Sequence, residues 1–587
     1  MEKEELELFN KKQEMYRHSM SHVLAKAIKE LYPNVKLAIG PAIDNGFYYD
    51  FDNLNVTPED FNKIEEKIKE IIARNEDFTR FEISKAQALE MFKDEPYKVE
   101  LINELPEGET ISAYKTGEDF VDLCRGPHVE NTKYLRGFSF KMNRVNGAYW
   151  RGSEKNKMLT RIYVYGFLNK DDLKECIRLE EEAKERDHRK VGKDLGIFMF
   201  NELVGRGLPM WLPKGFTLRR ELNDYIINKE VALGYQHVMT PSLGNVNLYK
   251  TSGHWDHYKE DMFPAMKADE EEYVLRPMNC PHHMVMFKNF MHSYRDLPIR
   301  MAEIANDFRF EASGALCGIE RTRAFTQNDS HIFCRPDQIK EEIEGVIKLI
   351  LDVYKDFGFK SYKFRLSLRD KENVEKYFGN DELWEKSEQA LREILKNSGA
   401  EYYEAEGEAA FYGPKIDVQV KSAIGHDITL STVQLDYQLP ERFELEYVDE
   451  NNQKARPVVI HRAILGSLDR FVAFILEETK GILPVWLSPV QAKIITVSNN
   501  NDEYAKEIEQ RLRLSGIRVE SDLNNESVGK KIRSAVLEKV PYILVLGDKE
   551  MEEKTVAVRT RGSKDTVSMS FNEFREEILK NISNRAL

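Results

Sequence analysis

His18 and His22 stand one helical turn apart and share a face by the i,i+4 rule, and the later run DLCRGPH supplies Asp122, Cys124 and His128, its Cys and His at the same separation. Two imidazoles so spaced are, by themselves, more often ordinary surface or core residues. A Cys/His pair in a Gly-Pro turn has less reason to be structural, and imidazoles that orient water beside a thiol and an acid suit ester hydrolysis. Ser19 stands where a zincin carries its general-base Glu, so metalloprotease chemistry is not expected.

A second thiol lies in RPMNCPHH, where Cys280 sits between Pro277 and Pro281, which fix the backbone and should keep the segment from continuing as a helix. Local zinc spacing would pair Cys280 with His282 or His283, and a buried cysteine in a turn explains the segment equally well. Arg309 and Glu311 alternate with Phe308 and Phe310. On a strand that puts a cation suited to phosphate and a carboxylate suited to an amine donor on one face, though an exposed strand face shows the same pattern. What tips the balance is Phe325, Gln327, Asp329 and His331, which share one side of a returning strand. Opposite Arg and Glu, they make a site for an aromatic base, phosphates and a small polar ligand. In PVVIHRAILGSLDRF, His461 should close an apolar strand and Gly466 and Ser467 should stand where a helix begins. Arg470 then lies one turn in, within reach of an anion near that N-terminus.

The elements that must hold these groups fall into several domains, since 587 residues at roughly 150 per domain predict about four. Charged residues at 32% and hydrophobic ones at 41% mark a folded chain, excluding a disordered or fibrous one. A net charge of −14 gives no global attraction for nucleic acid or anionic membrane, so any RNA contact needs local basic patches. No apolar run approaches the roughly 20 residues of a membrane span and MEKEELELFNKKQ has no leader-like core, which reads as cytoplasmic. Five cysteines do not make a disulfide framework. Neither a P-loop nor a dinucleotide fingerprint occurs, Met210 standing where the third glycine after Gly205 and Gly207 would be.

Residues 1–170 mix a helix over Met15–Leu31 with β-rich pieces (GFYYDFD, RIYVYGF), an α+β unit. Residues 171–190 are a charged helix with one thin apolar stripe, a linker. Residues 191–488 alternate β patterns and long amphipathic helices, predicting an antiparallel sheet with helices packed on it. From 489 to 587 strands alternate with helices in the manner of a parallel α/β domain.

Taken together, these motifs resemble the threonyl-tRNA synthetase family of class II aminoacyl-tRNA synthetases over essentially the whole chain. The Phe308–Glu311 segment with its return strand is similar to motif 2, Gly466–Phe471 to motif 3, and the helix before Thr240-Pro241 to motif 1, the dimer interface of that family. RPMNCP, TQNDSHIF and VIHRAILGS resemble the threonine enzyme in particular. The resemblance implies an α+β multidomain chain with an editing domain, a class II catalytic domain and a C-terminal α/β anticodon-binding domain. It further implies that Cys280, His331 and His461 hold one zinc ion with an open position that takes the amine and hydroxyl of threonine. Valine, lacking the hydroxyl, is refused there. Serine lacks only a methyl group, worth about 1 to 3 kcal/mol, so a second site must clear seryl-tRNA, and His18, His22, Lys98, Asp122, Cys124 and His128 match its pattern, a ligand set that would allow zinc or work with a positioned water alone.

The implied reaction joins threonine and ATP, with magnesium as companion, to threonyl-adenylate and then to tRNA(Thr). Arg309 and Arg470 would hold phosphate charge, Arg321 would assist, Glu311 would take the adenine amino group, and Phe325 would stack the base. Met278, Gln327, Asp329, Tyr412, Lys415, Gln434 and Ser467 would surround the amino acid and the transferring carbonyl. Asn525, Glu550 and Arg559 match anticodon contacts, with Lys530, Lys531, Arg533 and Arg561 as basic support. The family's small extra N-terminal domain is expected to be lacking, since His18 comes too early for one. A synthetase-derived RNA-binding or regulatory protein, and a hydrolase confined to the first 170 residues, are the competing readings.

Overall fold

The computed structural model describes residues 3–106, 108–373, 377, 381–422 and 427–587 and divides into two compact units, Met1–Glu181 and Glu182–Leu587. In the first unit the leading helix runs Lys3–Leu31, twelve residues longer than the apolar pattern indicates, because the residues before Met15 are mostly strong helix formers with no glycine or proline. Met20, Val23, Leu24, Ala27 and Ile28 line its buried stripe against strand Gly46–Asp52 and helix Phe61–Ala73. Gly46–Asp52, Met158–Phe167 and Ser139–Tyr149 form one antiparallel sheet. A separate sheet of Phe78–Ile83, Ile111–Thr116 and Phe120–Leu123 carries Asp122 to its edge and delivers Cys124 just beyond.

The charged segment is two helices, Lys170–Arg186 and His188–Leu195. The break falls at Asp187, whose carboxylate accepts the Arg189 N–H at 2.8 Å and so caps the second helix.

The second unit is built on an eight-stranded sheet. From one edge the strands are Gln236–His237, Ile299–Phe308, Ala324–Cys334, Val458–Ser467, Asp427–Asp436, Lys415–Lys421, Tyr362–Leu368 and Tyr402–Glu406. All interior pairs are antiparallel, as expected, while each edge strand pairs in parallel. Alternation sorts the two faces. Ile332, Ile460 and Leu435 are cross-strand partners on one face, within the core that includes Ile343, Ile347 and Ile350 of helix Ile339–Asp356. The opposite face carries the polar groups.

The C-terminal sheet runs Val519–Asp522, Ala492–Thr496, Tyr542–Leu546, Thr555–Thr560, Val567–Ser570. Its first three strands are parallel and its last two pairings antiparallel, so the sheet is mixed where the sequence pattern predicts a parallel one. Helix Asp548–Glu553 joins the third strand to the fourth and a turn at Arg561-Gly562 joins the fourth to the fifth, and both connections return the chain antiparallel. Among the described residues no helix is long and apolar enough to cross a membrane.

Candidate active site

Register assembles the site. Lys415 faces Gln434, Gln434 faces His461, His461 faces His331, and His331 faces Met301, so one transverse row crosses five neighbouring strands. A parallel row two residues along carries Asp417, Thr432, Ala463, Asp329 and Glu303. Residues far apart in the chain become neighbours because antiparallel partners point to the same face. The rows floor a cavity of about 610 Å³. Every residue expected to act on nucleotide, amino acid or metal lines it: Arg309, Glu311, Arg321, Phe325 and Arg470; Met278, Gln327, Asp329, Tyr412, Lys415, Gln434 and Ser467; Cys280, His331 and His461.

One ligand atom each from Cys280, His331 and His461 lies within 4.8 Å of the others, and all three residues are buried. His331 Nδ1 meets His283 Nδ1 at 2.8 Å, leaving Nε2 inward and without a hydrogen-bond partner. His461 Nε2 donates to Asp436 Oδ2 at 2.8 Å, and His283 Nε2 meets Glu303 Oε2 at 3.1 Å, so acids back both imidazoles. A buried thiol, two imidazoles with acid support and an orphaned ring nitrogen fit a zinc ion. Burial pushes the Cys280 thiol well above its ordinary range and the His331 imidazole well below, favouring the neutral form of each.

Three local expectations are corrected. The outgoing strand ends at Phe308, so Arg309 and Glu311 lie in the hairpin loop and not on a strand face; the Arg309 N–H still donates to Arg323 at 3.0 Å, after which Glu311 turns back onto Arg309. Cys280 begins helix Cys280–Lys288, because Pro281 falls in its first turn, where an N–H is not needed and proline starts a helix. His461 lies mid-strand, the strand continuing to Ser467, whose hydroxyl caps the following helix by accepting Arg470 N–H at 3.4 Å.

Glu311 Oε2 accepts from Arg321 Nε at 2.8 Å, and the Arg309 guanidinium lies 5.1 Å from the Phe325 ring centre. Tyr412 donates its hydroxyl hydrogen to Gln434 Oε1 at 2.5 Å, and Lys415 sits 3.0 Å from Asp417 Oδ2. Burial lowers the Arg470 pKa and raises that of Asp329 well above the carboxylate range. Sequence reasoning missed the supports: Arg276, Asp307, Asp417, Asp436 and the roles of His283 and Glu303. Arg276 is buried and donates to Thr240 Oγ1 at 2.6 Å and Asn306 O at 2.7 Å, joining the Thr240-Pro241 segment to the outgoing strand. The strand alternation of Glu303 with Ala305 and Asp307 was the available signal.

In the first unit His18, His22, Cys124 and His128 also bring one ligand atom each within 4.8 Å. Here the groups bond to each other: Cys124 Sγ is 3.2 Å from both His18 Nε2 and His128 Nε2, and accepts the Gly126 N–H at 3.2 Å. His128 Nδ1 meets Ser19 Oγ at 3.1 Å. Asp122 receives Lys98 Nζ at 2.5 Å and the Tyr49 hydroxyl at 2.6 Å, with His22 Nε2 3.8 Å away. Burial lifts the Cys124 thiol to about 11 and lowers all three imidazoles.

Of the C-terminal positions, Asn525 is exposed beyond strand Val519–Asp522, Glu550 Oε2 accepts the Gly547 N–H at 2.9 Å, and Arg559 Nε donates to Ser563 O at 3.0 Å. The basic support is thinner than expected. Lys531 is buried with its ammonium on Thr496, Lys530 pairs with Glu526, and Arg561 donates to the Lys539 carbonyl.

An antiparallel sheet with motif 2 and motif 3 strands flanking a cavity is the architecture of class II synthetases. Residues 258–479 match the model of the tRNA synthetase class II core domain (G, H, P, S and T), 491–581 that of the anticodon binding domain, and 111–163 that of the threonyl and alanyl tRNA synthetase second additional domain. The threonine–tRNA ligase of Anoxybacillus flavithermus is 54% identical over 573 residues, 97% of this chain and 89% of the relative. That of Staphylococcus carnosus is 56% identical over 564 residues, 96% of this chain and 87% of the relative. A crystal structure described as the RNA binding domain of threonyl-tRNA synthetase from Cryptosporidium parvum aligns with a TM-score of 0.65 at 40% identity, over 67% of this chain and 98% of that one. The chain belongs to the threonine–tRNA ligase family.

Proposed function

We propose that the cavity joins threonine to ATP and then to tRNA(Thr), and that the His18/Cys124 cluster hydrolyses seryl-tRNA(Thr). The observation that carries this reading is the transverse row from Lys415 through Gln434 and His461 to His331, with Cys280 beside it. In the first step the threonine carboxylate attacks the α-phosphorus of ATP and pyrophosphate leaves. In the second a hydroxyl of the terminal ribose attacks the adenylate carbonyl and AMP leaves. Arg309 and Arg470 line the cavity and hold the phosphate charge. Glu311 keeps one carboxylate oxygen for the adenine amino group while the other restrains Arg321, and Phe325 offers its ring to the base. Asp329 accepts from the substrate amine, Tyr412 fixes the Gln434 amide, and Met278, Gln327 and Ser467 close the wall. Cys280, His331 and His461 would hold zinc, which when bound supplies a Lewis-acidic position for an amine and a side-chain hydroxyl. Magnesium accompanies ATP.

For serine the discrimination of one methyl group is small, and the first unit supplies the remedy. Asp122, restrained by Lys98 and Tyr49, and the neutral imidazoles of His18, His22 and His128 around Cys124 can position water at a seryl ester. Asn525, Glu550 and Arg559 read the anticodon in this scheme. Residues 1–170 edit, 171–190 link, 191–488 catalyse and 489–587 bind the anticodon. Exposed Phe216, Val231, Leu233 and Met239, on or just after helix Pro213–Ala232, favour a homodimer through the motif 1 region. A cytoplasmic setting goes with the activity. Threonine-dependent exchange between ATP and pyrophosphate tests the ligase; its absence in zinc-replete protein would favour an RNA-binding descendant without catalysis.

A further inference from the structure

Helix Leu468–Thr479 carries two residues seven apart, Arg470 and Glu477, on one face, and both reach the turn Cys317–Arg321 of the hairpin loop. Arg470 does so directly, Nε donating to the Glu320 carbonyl at 3.2 Å. Glu477 does so through His188: its carboxylate accepts from Nδ1 at 2.7 Å, and Nε2 accepts the Ile319 N–H at 3.3 Å. A carboxylate only accepts, so the imidazole proton sits on Nδ1 and Nε2 is left as an acceptor, the one neutral tautomer that satisfies both bonds.

His188 and Glu477 are each 2% exposed, so water offers neither bond a substitute. Asp187, His188 and Glu477 together have the composition of a metal site, but Asp187 is spent on the helix cap and both ring nitrogens of His188 on this relay. Gly318 is shaped to it: its φ is 47°, and a Cβ there would lie 2.1 Å from His188 Nε2. The turn closes on itself by paired backbone bonds between Cys317 and Arg321, both 3.1 Å. From it Arg321 reaches back to Glu311.

We propose that His188, which precedes the matched class II core by some seventy residues, is a positioning residue for ATP: it fixes the Cys317–Arg321 turn against Arg470 and so sets Arg321 and Glu311 for the nucleotide. This rests on the ligase reading above. Gln at 188 places an amide oxygen near the reach of Nε2 and keeps the Ile319 acceptor; Asn reaches only as far as Nδ1 and loses it. Losing the partner of one buried N–H predicts a rise of about tenfold in KM for ATP with His188→Asn, little change in KM for threonine, and recovery to within about threefold with His188→Gln. Gly318→Ala, which drives a methyl group into the imidazole, should raise KM for ATP in the same way and stands in should the Asn variant not fold.

Threonine-dependent pyrophosphate exchange measures these constants, and amide hydrogen exchange over residues 315–323 reads the turn without any activity. Faster exchange there in His188→Asn and not in His188→Gln is expected. A folded His188→Asn protein with unchanged KM for ATP and unchanged amide exchange would overturn the assignment. Unaltered protein that shows no pyrophosphate exchange at all would count against the ligase reading, and amide exchange with and without ATP would then decide the role of His188.

Discussion

The two Cys/His clusters of this chain use the same side chains to opposite ends. Around Cys124 the donors bond to one another and to the backbone, and the neighbouring acid is tied to a lysine and a tyrosine. Around Cys280, His461 leans on Asp436 and His331 leans on Glu303 through His283, and His331 Nε2 is left without a hydrogen-bond partner. The first arrangement leaves only His22 Nδ1 without a hydrogen-bond partner and is suited to handling water and protons. The second has a donor set that could hold a cation. Residue composition does not distinguish a hydrolytic cluster from a metal cage; what does is where each donor's other hydrogen bond goes.

The comparison breaks most visibly at Cys280. A metal that polarises substrate is worth several kcal/mol, so Cys280→Ser should lose zinc and reduce threonine activation by at least about 100-fold while seryl-tRNA hydrolysis persists. Metal analysis and pyrophosphate exchange on one preparation check both halves. The reverse should hold for His18→Ala and Cys124→Ala: acid–base assistance is typically worth about 100-fold or more, so mischarged seryl-tRNA should accumulate with threonine activation intact. A deacylation assay with preformed seryl-tRNA measures it, and unslowed clearance by both variants would move the editing site elsewhere.

Finer changes sharpen the contrast. Asp436→Asn removes the acid behind His461 and should weaken zinc binding about 10- to 100-fold, read by competition with a chelator. The smallest effect is on stability. Burial pushes the Asp307 carboxyl up to about 7 against an ordinary value of 3.8. Its folded pKa is therefore raised, so the stability it contributes is whole below about pH 4 and is lost as pH rises through 7. Asp307→Asn should remove that loss and raise the unfolding midpoint at pH 8 by about 2 to 4 °C, with the gain fading toward pH 4. Thermal unfolding at several pH values decides it, and a gain independent of pH would contradict a buried, protonated acid.

Much of this was legible in the sequence. Period-two alternation along Phe325–His331 predicted a returning strand with one chemical face, and that strand lines the cavity as expected. The helix start at Ser467 and the place of Arg470 were readable from a Gly-Ser step before an apolar helix. The convergence of Cys280, His331 and His461 was not, since it depends on the register that pairs His331 with His461, 130 residues further on, and on a helix start that brings Cys280 beside them, and only resemblance joined them. Pro281 misled because proline both ends helices and begins them, and local sequence does not say which. Asp436 gave no sign as a support, since it meets His461 across the sheet, and for Glu303 only the alternation with Ala305 and Asp307 hinted at a buried face, its partners Arg276, Asn279 and His283 coming from another segment.

Zinc content in unaltered protein, in Cys280→Ser and in Cys124→Ala is the most direct test of the difference between the two clusters. One ion per chain, lost in the first variant and kept in the second, is the predicted result. Zinc retained in Cys280→Ser and lost in Cys124→Ala would reverse the assignment of cage and hydrolytic site.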